Sequence, residues 1–165
     1  MKLSDFQTYL HHQGIDLALF IHPDPHLTYF TQISLSYGYL AITKKGATLF
    51  LSKLDSSPKL PGITIKPLVS NWYKDLESKT IQRIGVNKQS LTLAQADRLA
   101  KIFPKAKLVD VAPILTELRK IKTKEEIAAI TKACEITSQA LTALLPELRQ
   151  KKLKTERDVA FFLEK

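Results

Sequence analysis

The run Leu17-Ala-Leu-Phe-Ile21 restricts the fold of this chain more than any other segment. Five consecutive apolar residues read as a short strand covered on both faces. Such a strand sits inside a sheet with helices packed above and below it. The flanking pattern agrees. Residues 4–13 predict a helix with Ser4 as N-cap and Phe6, Tyr9 and Leu10 on one face, and Gly14 is placed to end it. In "HPDPHLTYFTQI" (22–33) two prolines confine the backbone to a turn, after which a short helix carries Leu27, Phe30 and Thr31.

Residues 37–52, "YGYLAITKKGATLFLS", hold two β-prone runs around "KKG" and predict a hairpin, with Gly46 free to take a positive φ in the turn. A loop at 56–62 leads to a strand at 63–68, and 71–78 predict a short helix capped by Asn71. Strand, helix and strand then alternate at 83–87, 92–103 and 107–111, with Leu93, Ala96, Leu99, Ala100 and Phe103 as the helix's buried stripe. This alternation brings parallel pairs and crossover helices. The fold class is therefore α/β: a mixed β-sheet flanked by helices, followed by a C-terminal helical extension.

That extension is marked by capping chemistry. Residues 112–122 lead out of the α/β part, and Thr123 with Glu126 three positions on forms a capping box. Ile127, Ile130, Cys134, Leu141, Leu144 and Leu148 then advance in steps of three and four, with Thr137 in the one polar gap, as in a helix buried along one side. Pro146 is expected to kink or end it. A second helix starts at Thr155, with Glu156 and Asp158 in its first turn and Val159, Phe162 and Leu163 on one face beside Phe161. The chain reaches Lys165 in mid-helix without an obvious layer to cover these side chains, each worth roughly 1.5–3 kcal/mol when buried. The tail reads as unfinished.

Composition narrows the function. With 44% hydrophobic and 25% charged residues this is an ordinary globular composition. No apolar run approaches the roughly 18–20 residues of a membrane span, and the polar N-terminus is not a secretory signal. Cys134, the only cysteine, reads as a small buried residue rather than a reactive thiol. It rules out an internal disulfide and points to a reducing, cytoplasmic setting. The net charge of +9 is spread along the chain, with 11 basic and 7 acidic residues in 1–100 and 14 and 9 in 101–165. Its one tight run, "RQKKLK" (149–154), reads as a solvated connection, and no basic stretch is interleaved with aromatics. Weak nucleic-acid binding through net charge is thus a minor alternative.

No catalytic constellation emerges. His11, His12, His22 and His26 all lie in the first 26 residues. The prolines of "HPDPH" keep His22 and His26 from sharing a helical face, so they are expected as exposed turn residues rather than a metal pair. Glu125 and Glu126 are explained by the helix N-terminus they occupy.

Several segments nevertheless resemble the N-terminal half of the creatinase, prolidase and Xaa-Pro aminopeptidase family, the pita-bread metallopeptidases. "PDPHLTYFTQI" is similar to a family segment ending in Tyr-Leu-Thr-Gly-Phe, with Gln32 where glycine is usual. The hairpin with "TKKGATLFLS" follows in register. The crossing "RKIKTKEEI", Arg119 to Ile127, is the most specific motif, and Thr155-Glu156 match a Thr-Glu pair of the second catalytic-domain helix; the glycine usual before that pair is absent.

The resemblance implies an N-terminal domain over 1–118, then a crossing segment and the first helices of a pita-bread domain over 119–165. It implies a non-catalytic part of a Xaa-Pro aminopeptidase or dipeptidase that serves dimerisation and caps a neighbouring subunit's active site. Short proline-containing peptides would be substrates of the complete enzyme, and the remainder of the catalytic domain and a second copy would be the partners. In the family, two Asp, one His and two Glu hold two divalent metal ions (manganese, cobalt or zinc); none of those positions falls in this chain, so no catalytic residue, metal ligand or cofactor is assigned to it. The family loop that lends a substrate contact maps onto Ser34–Gly38, with Tyr37 and Ser36 the candidate contacts; a strand-start residue packing locally is the plainer reading of Tyr37. A stand-alone dimerising or binding module is the alternative function.

Overall fold

The structure, a computed structural model, describes residues 3–56, 59–76 and 80–164. The chain divides into two compact units, Met1–Ile121 and Lys122–Lys165. In the first, six strands run in the order β4-β3-β2-β1-β5-β6: β1 (Leu17–Ile21), β2 (Gly38–Thr43), β3 (Gly46–Leu51), β4 (Ile63–Pro67), β5 (Arg83–Val86) and β6 (Lys107–Asp110). The pairs β1/β2 and β2/β3 are antiparallel, whereas β3/β4, β1/β5 and β5/β6 are parallel. The mixed sheet and its flanking helices are as anticipated.

All five β1 residues are buried, because strand alternation sends them to two separate cores. Ala18 and Phe20 join Phe6, Leu10, Leu27, Leu40, Ile42 and Leu115 on the face covered by α1 (Leu3–His12), α2 (Pro25–Thr31) and α4 (Ala112–Lys120). Leu17, Leu19 and Ile21 join Tyr39, Phe50, Trp72, Ile84, Leu99 and Phe103 on the other. That second face is covered by α3 (Leu93–Ile102) and a 3-10 turn at Trp72–Leu76. At roughly 1.5–3 kcal/mol per buried side chain, these layers hold the sheet between them.

Local details depart from the sequence expectations in instructive ways. Helix α1 already includes Leu3 and Ser4, so Ser4 is not its cap; its carbonyl accepts from the Thr8 hydroxyl at 2.9 Å. Gly14 ends the segment with a φ of 60°, as its lack of a Cβ allows. The hairpin needs no such freedom. Gly46 has no positive φ and pairs directly with Thr43. Instead the Thr43 hydroxyl closes the two-residue turn, accepting from the Lys45 N–H at 3.3 Å and donating to the Gly46 carbonyl at 3.2 Å.

In α3 the stripe is rotated from the expected one. Leu99 and Phe103 are buried, but Leu93 is 87% exposed and Ala100 is exposed as well. Leu93 is the first helical residue, directly after the N-cap Thr92, and it stands clear of the core, while half-buried Ile102 packs against the second core. Residues 112–120 are not a plain exit segment. They form α4, whose Leu115 is buried in the first core and whose Ala112 is buried as well. The expected loop at 57–58 and the expected helix at 77–78 fall outside the described residues.

The second unit contains α5 (Lys124–Arg149) and α6 (Glu156–Leu163), each opened by the capping residue read from sequence. Thr123 and Glu126 exchange the two bonds of the box, and Thr155 and Asp158 do the same. Pro146 does not end α5, which continues to Arg149. Lying one turn from the C-terminus, the proline forfeits a single ladder bond. The expected burial of the α5 stripe is not observed. Leu144 is buried, but Ile127, Ile130, Leu141 and Leu148 are exposed, and so is Cys134. A second unit of two helices, one only eight residues long, has too little apolar surface to cover a helix of 26.

Glycine contacts make the packing testable. A Cβ on Gly85 would stand 2.7 Å from Val111 Cγ1, whereas a Cβ on Gly46 would meet nothing within 4 Å. We expect Gly85→Ala to lower unfolding stability by about 1–3 kcal/mol and Gly46→Ala to change it by less than about 0.5 kcal/mol, both read from denaturant melts. Equal losses at the two positions would contradict this packing.

Candidate functional site

The segment between α2 and β2 brings the two candidate residues to the edge of the second core. Helix α2 starts on Asp24, whose Oδ1 accepts from the His26 N–H at 2.8 Å, with Pro25 in its first turn. It stops at Gln32, which takes φ 56°, where the resemblance places glycine. The Gln32 side chain donates to the Tyr29 carbonyl at 2.6 Å and helps hold this left-handed residue. The chain then runs over buried Leu35 to Ser36 and Tyr37 and enters β2 at Gly38. Gly38 is required there, because a Cβ would stand 2.9 Å from the Phe50 carbonyl oxygen.

Asp55 clamps this loop. It accepts from the Ser36 N–H at 2.8 Å through Oδ1, from the Ser36 hydroxyl at 2.8 Å through Oδ2, and from the Tyr37 N–H at 3.5 Å. These bonds, the Ser36 N–H foremost, and the nearby His22 hold its carboxyl below the usual carboxylate range. The Tyr37 carbonyl accepts from the Ser52 N–H at 3.3 Å. Sequence reading did not single out Asp55, since it lies 19 residues from Ser36 and belongs to no recognisable motif.

Tyr37 and Tyr39 point to one side of β2, two residues apart, with hydroxyl oxygens at 2.9 Å. Tyr37 is 40% exposed and Tyr39 only 3%. Burial, and then the bond to Tyr37, push the Tyr39 phenol up to about 12. Tyr39 therefore keeps its proton across the neutral range and can donate it to Tyr37, leaving the Tyr37 hydroxyl proton for a ligand. Trp72 stacks on Tyr39 at 4.6 Å and packs against Phe50 at 5.1 Å. Beside these rings opens a cavity of about 200 Å³, also lined by Gln95, Arg98 and Leu99 of α3. A wider cleft of about 590 Å³ lies under the hairpin turn, between Lys44, Lys45, Asp16 and Asp75.

The histidines fall differently from expectation. His26 is not an exposed turn residue; it is 5% exposed, with its ring 6.0 Å from that of Phe20. Its place in the first turn of α2 directs it into the core, and burial lowers its pKa, against the opposing pull of Asp24. Asp24 in turn accepts from the Ser90 hydroxyl at 2.6 Å, and Arg119 lies 5.0 Å over the Tyr29 ring. Among the described residues, no three His, Cys, Asp or Glu side chains converge to hold a metal ion, so the residues present do not fit the two-metal centre that the resemblance brings to mind.

The Asp55 clamp has a definite pH signature. A carboxyl whose folded pKa is depressed contributes stability above its unfolded value and loses it as pH falls through the folded value. We expect the Ser36 amide resonance to titrate with a midpoint below the ordinary 3.8, and Asp55→Asn to abolish that titration. A midpoint at or above 3.8 would show that the clamp does not form.

Comparison with known proteins fits this arrangement. Residues 2–121 match the model of the creatinase/prolidase N-terminal domain. A Xaa-Pro dipeptidase of Pyrococcus horikoshii is 30% identical over 99% of this chain and 46% of its own length. That of Pyrococcus furiosus is 28% identical over 99% and 47%. The crystal structure of the Pyrococcus horikoshii OT3 prolidase superposes with a TM-score of 0.79 at 26% identity, over 98% of this chain and 48% of that one. The chain thus spans about half the length of the curated relatives it matches. On the strength of a match through the whole six-stranded unit, this chain belongs to the creatinase/prolidase N-terminal domain family.

Proposed function

We propose that this chain is the non-catalytic N-terminal part of a metal-dependent peptidase acting on peptides with proline in second position. In this reading it serves dimerisation and caps the active site of a neighbouring subunit. The reach of the likeness supports this most. Alignment to the Pyrococcus horikoshii Xaa-Pro dipeptidase takes in 99% of the chain, so it continues beyond Ile121 into the second unit. Hydrolysis is then the work of a part outside this chain. The two divalent ions, manganese, cobalt or zinc, would be bound there.

Tyr37, with Ser36 behind it, is the contribution this chain makes to substrate. An exposed phenol at a loop tip can donate to a peptide carbonyl or terminal carboxylate. Its position is held at three points: the Asp55 clamp, the Ser52 bond and the Tyr39 hydroxyl. Such rigidity reduces the ordering cost of binding. A side chain that contacts only bound substrate, far from the reacting atoms, affects ground state and transition state alike.

The first test is the activity of this chain alone toward a Xaa-Pro dipeptide with added manganese. The expected result is no turnover, and metal-dependent hydrolysis by the purified chain would overturn the non-catalytic reading. The second is Tyr37→Phe in a peptidase that carries this domain joined to a catalytic part. It should raise KM by about threefold to tenfold with kcat nearly unchanged. A fall in kcat at constant KM, or no change in either, would remove Tyr37 from substrate contact.

A further inference from the structure

We propose that His26 is a proton-operated latch: the neutral ring seats α2 against β1 and α4, and the protonated ring releases the helix. The latch is independent of the peptidase reading. Its basis is where the ring sits. His26 stands in the first turn of α2, is 5% exposed, and meets the Phe20 ring of β1 at 6.0 Å and 64°. Its Nδ1 is buried with no hydrogen-bond partner among the described residues. An imidazolium carries a proton on both ring nitrogens. In the closed helix the protonated ring would therefore hold an Nδ1–H donor with neither an acceptor nor water, a costly state for a buried cation.

The groups around the ring do not relieve that cost. Arg119 of α4, 5.0 Å over the Tyr29 ring of α2, brings a second positive charge to the same contact. Phe20, the ring that β1 presents, carries none. Asp24, in the cap before α2, is the carboxylate that acts on His26, but both of its oxygens are engaged. Oδ1 accepts from the His26 N–H at 2.8 Å and Oδ2 from the Ser90 hydroxyl at 2.6 Å. To meet a proton on Nδ1 it would have to leave the helix cap and the Ser90 link. Burial accordingly outweighs Asp24 and, reinforced by Arg119, lowers the pKa of His26 below its ordinary 6.5.

Release is local because α2 is short. Its seven residues cannot hold a helix in water by themselves, and the helix is anchored by the buried side chains of His26, Leu27 and Thr31. Charging one of these anchors, at the capped end, opens the helix without unfolding a sheet buried in two layers. Linkage fixes the direction. In the open helix His26 takes a proton near 6.5, and in the closed helix only at lower pH. Closure is strongest above 6.5 and weakens as pH falls through that value toward the folded one. Because α2 runs on through Gln32 to Ser36 and Tyr37, its opening frees the upstream end of that segment while Asp55 holds the downstream end.

Two measurements on this chain test the latch. In proton–carbon correlation spectra the His26 ring should titrate with a midpoint below 6.5, its resonance identified by loss in His26→Phe. In hydrogen exchange, corrected for the intrinsic effect of pH, opening at the Tyr29, Phe30 and Thr31 amides should rise about tenfold between about pH 7 and about pH 5, while β1 and α3 keep their protection. His26→Phe, which keeps a ring beside Phe20, and His26→Gln both lack the titrating proton and should show no such rise. A His26 midpoint at or above 6.5 would overturn the latch. So would α2 exchange that is unchanged at the lower pH or that rises equally in both variants. A parallel rise in β1 and α3 would make His26 a determinant of global stability and overturn a local release.

Discussion

The double-sided burial of β1 is the constraint on which the first unit depends. Five apolar side chains in a row cannot face water on either side, so each face of the sheet must carry its own layer. Its neighbours supply the backbone partners, β2 antiparallel over Ala18–Ile21 and β5 parallel at Leu17 and Ala18. The mixed character of the sheet follows from this position. A hairpin supplies one flank at short range, and a distant segment supplies the other through the parallel pairing of Leu17 with Ile84, 67 residues on. Tyr37 and Tyr39 owe their place to the same strand, since β2 inherits its alternation from pairing with β1.

The fold was largely legible because its signals are local and periodic. "LALFI", the paired runs around Lys44 and Lys45, the box at Thr123 and the cap at Thr155 all fell where the chain's own chemistry puts them. Misreadings arose where the start of a helix or a single neighbouring side chain decided. Leu93 has the right spacing for the α3 stripe but stands at the helix start, beyond the edge of the core. Gly46 suggested a left-handed turn, whereas the Thr43 side chain made one unnecessary. His26 looked like a turn residue because two prolines precede it, yet the first turn of α2 carries it inward.

The candidate site was only half legible. Ser36 and Tyr37 were marked by family likeness, but nothing in the linear order pointed to Asp55, Trp72 or Arg98. These three are contributed by the loop after β3, by the 3-10 turn and by α3. Side-chain chemistry that converges from separate elements leaves no spacing to read. The exposed stripe of α5 shows the opposite case. Its period was plain in sequence, but periodicity describes what a helix is suited to bury, not what lies against it.

The sheet separates two cores that share backbone but no side chains. Phe20 and Leu19 are adjacent in β1 yet belong to opposite layers. Coupling between the layers passes through the shared strands and through links at their ends, such as the bond from the Ser90 hydroxyl to Asp24. The α1–α2 face can accumulate changes in volume with little consequence for the rings beneath α3, which leaves the domain two nearly independent surfaces on which to vary.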